Sequence, residues 1–274
     1  MSKFQHKKSL GQNFLYQREK VAQVVEAMNP TLEEAFIEIG PGTGYLTEQL
    51  LPKVKTLTCI EIDRQAIEIL KTKFADKTNI EIIYADFLKY DLKKFCLEAG
   101  IGQQKLKVAG NIPYYITTPI IEKLIEHKHL ISKAYLMVQK EVAERIISSE
   151  GSKVYGSLSV FCQYHADCKI LLNIDRGNFY PVPEVDSAFI ELNFEKKEKV
   201  ETKNEELFFK IVRAGFSQRR KMFINNLKRV FDTTENAVRP AFEKCDIELK
   251  ARIEDVSIKK LAQLSNIMLD LKIQ

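Results

Sequence analysis

Ala35-Phe36-Ile37-Glu38-Ile39-Gly40-Pro41-Gly42-Thr43-Gly44 runs directly into Tyr45-Leu46-Thr47-Glu48-Gln49-Leu50-Leu51. The first five residues read as a short buried strand and the last seven carry apolar residues at helical spacing, so the unit is strand, glycine turn, helix. Glycines suit that junction because the backbone turns tightly and approaches a ligand with no Cβ in the way. The spacing is Gly-x-Gly-x-Gly, and Tyr45 stands where a dinucleotide fingerprint needs its third glycine. A nicotinamide site is therefore disfavoured.

Downstream, the same alternation repeats. Thr56-Leu57-Thr58-Cys59-Ile60 reads as a second strand ending in Glu61, where a carboxylate suits the hydroxyls of a nucleoside sugar. Ile80-Glu81-Ile82-Ile83-Tyr84 reads as a third, ending in Ala85-Asp86-Phe87. Asp86 is either an acceptor for an adenine amino group or a helix N-cap. A fourth strand over 105–110 leads into Val108-Ala109-Gly110-Asn111-Ile112-Pro113-Tyr114-Tyr115. There the Asn111 side-chain carbonyl and a backbone carbonyl at Ile112 or Pro113 can each accept one hydrogen of an exocyclic amine, and Tyr114 can stack on the base that carries it. The alternative is a strand end and proline turn with packed tyrosines. Four strand ends thus fall on Gly40, Glu61, Asp86 and Asn111, and in an open α/β sheet ligands bind outside the carboxyl ends of the strands.

With an entry helix around Arg18 to Ala27, a further strand over 133–138 and a helix over 140–148, the order is that of a parallel sheet. Cys168-Lys169-Ile170-Leu171-Leu172-Asn173-Ile174 and Ala188-Phe189-Ile190-Glu191-Leu192-Asn193-Phe194 read as two more strands joined by the Pro181/Pro183 loop. Without an intervening helix they are expected to be antiparallel. Residues 196–204 hold six charged side chains and one apolar one, which marks a linker. The expected organisation is a sheet domain over 1–195, that linker, and a small all-α domain over 205–274.

Net charge is +5, and 45% of the 274 residues are hydrophobic. The charge is unevenly spread: between Ile211 and Phe231 stand Arg213, Arg219, Arg220, Lys221, Lys228 and Arg229, with no acid. Apolar residues recur there at helical spacing, giving an amphipathic helix pair with one cationic face suited to a polyanion. A solvated face is the alternative. Lys3, Lys7 and Lys8 at the start can add phosphate contacts. Five cysteines without Cys-x-x-Cys spacing and four scattered histidines suggest neither a disulfide framework nor a metal site. No apolar run approaches membrane-spanning length and the polar start lacks a signal core, so the expected compartment is the cytoplasm.

The motifs Glu38-Ile39-Gly40-Pro41-Gly42-Thr43-Gly44, Glu61-Ile62-Asp63, Ala85-Asp86 and Asn111-Ile112-Pro113-Tyr114 resemble those of S-adenosylmethionine-dependent adenine N-methyltransferases. Ser9-Leu10-Gly11-Gln12-Asn13-Phe14-Leu15 and Asn178-Phe179-Tyr180-Pro181-Val182-Pro183-Glu184-Val185-Asp186-Ser187-Ala188 narrow the similarity to the KsgA/RsmA family of ribosomal RNA adenine dimethyltransferases. The resemblance runs essentially end to end. It implies a class I methyltransferase fold, Rossmann-like and seven-stranded with a mixed sheet, and S-adenosyl-L-methionine as cofactor. It assigns Asn13, Leu15, Gly40, Gly42, Glu61, Asp86 and Asn111 to cofactor contacts, with Gln12 and Phe14 beside them. Asn111, Pro113, Tyr114 and Phe179 would form the catalytic clamp, Tyr114 and Phe179 sandwiching a flipped adenine. The implied reaction is dimethylation of two adjacent adenosines near the 3′ end of small-subunit ribosomal RNA in an assembling 30S-type particle, by a monomer needing no membrane or metal. An Erm-type enzyme acting on large-subunit RNA shares much of this layout, and a non-catalytic assembly factor on the same fold is the alternative from another class. Against the Erm-type reading, Phe179-x-Pro181-x-Pro183-x-Val185-x-Ser187 and Phe216-Ser217-Gln218-Arg219-Arg220-Lys221 resemble the KsgA/RsmA group. Met222 departs from that group, in which threonine is frequent at this place.

Overall fold

A computed structural model describes residues 11–99, 105–195 and 200–273. The expected contacts of Lys3, Lys7 and Lys8, and the linker residues 196–199, lie outside the described residues. The elements alternate as the apolar runs require. They begin with β1 (Phe14–Leu15), α1 (Arg18–Met28), β2 (Ala35–Ile39), α2 (Tyr45–Leu50), β3 (Thr56–Glu61), α3 (Arg64–Lys73), β4 (Ile80–Tyr84) and α4 (Leu92–Glu98). There follow β5 (Leu106–Asn111), α5 (Thr117–Glu126), β6 (Ile131–Gln139), α6 (Lys140–Ile147), α7 (Ser157–His165), β7 (Asp167–Ile174), β8 (Phe179–Tyr180) and β9 (Ser187–Asn193). Four helices close the chain: α8 (Glu205–Phe216), α9 (Phe223–Val230), α10 (Glu235–Lys244) and α11 (Ile258–Asp270).

Seven strands form one sheet in the order β4-β3-β2-β5-β6-β9-β7. β2 pairs parallel with β3 and β5, β3 with β4, and β5 with β6, which brings the ends of β2 to β5 to one edge. β9 enters antiparallel between β6 and β7, as the short Pro181/Pro183 connection requires. Phe36, Leu57, Cys59, Ala109, Tyr135 and Phe189 lie in one buried cluster with Val21, Val24, Val25 and Met28 of α1. A sheet covered by helices holds near-continuous apolar strands, which is why these runs were readable.

Two compact units emerge, and their boundary departs from the expected one. The sheet unit comprises residues up to Ala143 and Asp167–Glu195, whereas Glu144–Ala166 belongs with the C-terminal helices. The reason is apolar. Tyr155 and Val160, both fully buried, join Phe208, Ile211, Phe223, Leu227 and Phe242 in the core of the helical unit. Neither α7 nor this return of the chain is among the elements expected from the sequence. Ahead of the entry helix, β1 forms a two-residue antiparallel ribbon with β8, pairing Phe14 with Tyr180 and Leu15 with Phe179.

Candidate active site

The glycine turn after β2 is left-handed at Gly40 (φ 62°), Gly42 (φ 57°) and Gly44 (φ 81°). A Cβ at Gly40 would meet nothing within 4 Å, so the backbone there is open to an approaching ligand. At Gly42 a Cβ would fall inside the Phe14 ring, which is how β1 lies down on the turn. Glu61, at the end of β3, holds the turn in place. Its Oε2 accepts from the Gly42 N–H at 2.9 Å, and its Oε1 accepts from the N–H groups of Ile62 and Asp63, each at 2.8 Å. A carboxylate has about four acceptor positions, two on each oxygen. Oε2 therefore retains one for a sugar hydroxyl while Oε1 is filled. Burial pushes the Glu61 carboxyl above its ordinary range, against the three backbone donors that favour the charged form.

Asp86 is an N-cap that also faces the cleft. Its Oδ1 caps the one-turn helix at 87–89 by accepting from the Leu88 N–H at 3.0 Å, and its side chain lines the same cleft as Glu61. The cleft has a volume of about 200 Å³, with Gly40, Glu61, Asp86, Phe87, Asn111 and Tyr114 in its walls. Gly11 to Phe14 close over it. Gln12 Nε2 donates to Asp63 Oδ2 at 3.0 Å, and Asn111 Nδ2 donates to the Asn13 carbonyl at 2.7 Å. The second bond fixes the amide: with the nitrogen on a carbonyl, Oδ1 is left as an acceptor, since the opposite flip would set oxygen against oxygen.

Of the two backbone carbonyls expected to share the amine, that of Pro113 accepts from the Ile116 N–H at 3.2 Å. The Ile112 carbonyl keeps no partner among the described residues. Tyr114 opens a one-turn helix at 114–116, half-buried, with its hydroxyl 2.7 Å from the Ser187 Oγ. Burial raises the phenol further above neutrality, so the ring stays uncharged. Tyr115, beside it, is 63% exposed.

Two expected contacts are absent from the cleft wall. Alternation along the β1–β8 ribbon puts Phe14 and Tyr180 on one face and Leu15 and Phe179 on the other. The second face is the core: Leu15 and Phe179, the latter only 1% exposed, pack with Ile174 and Phe189. Leu15 reaches only a smaller hollow of about 30 Å³ that it shares with Gly40 and Asn111. Phe179 is thus not presented to a base here, and Tyr180 is the exposed aromatic of the ribbon.

Among the six basic residues between Ile211 and Phe231, Arg213, Arg220, Lys221 and Arg229 are exposed. Arg219 is engaged instead, its Nη2 2.8 Å from Glu254 Oε2 and 2.9 Å from the Lys153 carbonyl. Lys228 contacts Asn225 Oδ1 at 3.2 Å, and Arg229 Nη2 donates to Ser217 Oγ at 2.9 Å. Among the described residues no cluster of three or more His, Cys, Asp or Glu is placed to hold a metal, and no helix is long and apolar enough to cross a membrane.

A profile of ribosomal RNA adenine dimethylases matches residues 3–270. The chain belongs to this family. Among the dimethylase relatives, ribosomal RNA small subunit methyltransferase A of Fusobacterium nucleatum is 41% identical over 96% of this chain and 98% of that protein. Its namesake from Bacillus pumilus is 40% identical over 97% and 92%. Two solved structures share the fold. A dimethyladenosine transferase from Plasmodium falciparum has a TM-score of 0.75 at 24% identity, covering 93% of this chain and 97% of its own. The 23S rRNA methyltransferase ErmE has a TM-score of 0.71 at 25% identity, covering 92% and 98%. The mixed seven-stranded sheet is that of class I methyltransferases.

Glu38 is the titratable group of the dimethylase turn that sequence reasoning passed over. Its signal was an acid between Ile37 and Ile39 in a buried strand. Its Oε2 accepts from Thr47 Oγ1 at 2.7 Å, and burial, reinforced by the nearby Glu61 charge, raises its carboxyl to about 7. A carboxyl that holds its proton better folded than unfolded makes stability fall as pH rises, here from about 4.5 through about 7. The loss amounts to about 3 kcal/mol at roughly 1.4 kcal/mol per tenfold change in proton affinity. Glu38→Gln is expected to flatten that fall, and urea unfolding at pH 5 and pH 8 checks it; the same pH slope in both proteins would contradict it.

Proposed function

We propose that the chain transfers methyl groups from S-adenosyl-L-methionine to the 6-amino groups of two adjacent adenosines near the 3′ end of small-subunit ribosomal RNA. It does so as a cytoplasmic monomer acting on an assembling small subunit. Family membership and the names of relatives about 40% identical support the substrate. The observation that carries the chemistry is the Asn111 amide, whose donor is spent on Asn13 and whose oxygen is left as an acceptor in a cleft with Glu61 and Asp86.

The donor set fits the cofactor. Glu61 Oε2 has room for one sugar hydroxyl, Asp86 Oδ2, 3.9 Å from the exposed Lys89 ammonium, keeps an acceptor position for an amino group, and Phe87 and Leu88 supply apolar walls for a flat base. When bound, S-adenosyl-L-methionine supplies an activated methyl group on a sulfonium. Asn111 Oδ1 and the Ile112 carbonyl accept the two hydrogens of the target amine. Held this way, the nitrogen loses conjugation with the ring and its lone pair is aimed, and both bonds strengthen as positive charge grows on it. Tyr114, anchored through Ser187, offers its ring to the base, a contact of about 1–3 kcal/mol. Phe179 and Leu15 support the ribbon that carries Phe14 over the glycine turn. The amine proton leaves to solvent afterwards, so no strong base is required.

RNA binding falls to the helical unit. Arg213, Arg220, Lys221 and Arg229 face solvent and suit phosphates, whereas Arg219 and Lys228 shape the surface through Glu254 and Asn225. Labelled methyl transfer to small subunits, large subunits, naked RNA and DNA, followed by nucleoside analysis, tests the reaction. Dimethyladenosine in small-subunit RNA is expected; label confined to large subunits or DNA, or none, would contradict it. Replacing Arg220 and Lys221 by Gln is expected to flatten the dependence of log affinity on log salt by about 0.7 for each lost contact to single-stranded RNA. Cofactor affinity should stay unchanged; an unaltered slope would make this a merely solvated face.

A further inference from the structure

Lys123 lies two turns into α5 and is half-buried, with its ammonium seated on two backbone carbonyls. Nζ donates to the carbonyls of Leu88 at 3.0 Å and Tyr90 at 2.7 Å, and stands 5.6 Å from the centre of the Phe87 ring. Leu88 belongs to the one-turn helix at 87–89 and Tyr90 follows it directly. Carbonyls at such an end lack intrahelical partners and attract a cation. Asp86 caps the opposite end of the turn, and Asp86, Phe87 and Leu88 all line the cleft.

The other wall of the cleft, residues 111–116, continues into α5 at Thr117 without a break. The sheet does not join these two walls. β4, which precedes Asp86, and β5, which ends in Asn111, are separated by β3 and β2, so no ladder hydrogen bond links the segments that follow them. Lys123 spans that gap from the helix layer. A lysine on a solvated helix face would leave its ammonium in water; this one exchanges part of its hydration for two carbonyls and a ring. The cost is visible in its proton affinity, which burial lowers below the ordinary lysine range although Glu126, Asp86 and Asp91 oppose the shift.

We propose that Lys123 is a positioning residue that locks the Asp86–Leu88 wall, which would hold the adenine of the cofactor, to the helix continuing from the target-base clamp. The proposal rests on the cofactor reading above. Without the ammonium the wall keeps its Asp86 cap but loses its fixed distance from α5, so the effect falls on cofactor binding rather than on methyl transfer from the filled site.

Lys123→Met keeps the length and apolar stem and removes the charge, while Lys123→Arg keeps donors for both carbonyls. Calorimetric titration with S-adenosylhomocysteine, steady-state kinetics and thermal melting separate the possibilities. The Met variant is expected to raise both the Kd and the cofactor KM about tenfold, the scale of one lost charge-assisted hydrogen bond. kcat at saturating cofactor should stay within about twofold, since the interactions made only in the transition state are untouched. The Arg variant should recover most of the affinity. An unchanged Kd with a lowered melting temperature, or a fall in kcat at constant KM, would overturn the proposal. Hydrogen exchange on the unsubstituted protein gives a reading independent of variant folding: S-adenosylhomocysteine is expected to slow exchange at 87–90 and in the α5 turn around Lys123 together. Protection confined to 87–90 would overturn it. Failure of the unsubstituted protein to bind S-adenosylhomocysteine at all would remove the cofactor reading, and this proposal with it.

Discussion

The hydrogen bond from Asn111 Nδ2 to the Asn13 carbonyl joins residues 98 positions apart, and the cleft depends on it. On one side it fixes which atom of the amide can act as an acceptor. On the other it pins the segment that closes over the glycine turn, where Gln12 is tied to Asp63 and Phe14 lies on Gly42. Closure and chemistry thus share one contact. Glu61 plays the corresponding part beneath, gathering three backbone donors so that the turn is formed before any ligand arrives. Such preorganisation matters because donors and acceptors fixed in advance need no rearrangement when charge develops.

Much of this was legible in the sequence, for a physical reason. Strands buried on both faces have to be continuously apolar, so 35–39 and 56–60 stood out, as did the apolar edge strand 80–84, and each ended in a residue of distinct chemistry. The strand ends Gly40, Glu61, Asp86 and Asn111 do meet in one cleft. What stayed hidden depends on long-range pairing. A two-residue ribbon has no periodicity to read, and its alternation decides that Phe14 faces the turn while Leu15 and Phe179 face the core. α7 is apolar on a face that packs against the distant helix α8, so the return of the chain at 144–166 had no local signature. Lys123 reads as an ordinary helix lysine until Leu88 and Tyr90 are seen beneath it.

The basic stretch shows the same limit. Six cations without an acid looked like one face, but Arg219 finds Glu254, 35 residues further on, and becomes part of the fold. Exposed ion pairs contribute little to stability, so its value is more in shaping the surface than in holding it together. Counting charge locates a surface for a polyanion. The structure separates the cations that remain available from those already engaged.

The central claim is that Asn111 acts on the target amine through its oxygen. Single-turnover methyl transfer by Asn111→Ala, set beside its calorimetric affinity for S-adenosylhomocysteine, tests this most directly. The account predicts a rate lower by about a hundredfold or more, the usual effect of removing one transition-state hydrogen-bond partner, with a clearly smaller loss of affinity from the broken bond to the Asn13 carbonyl. A loss of affinity as large as the loss of rate would contradict it, making Asn111 a cofactor-binding residue and no more.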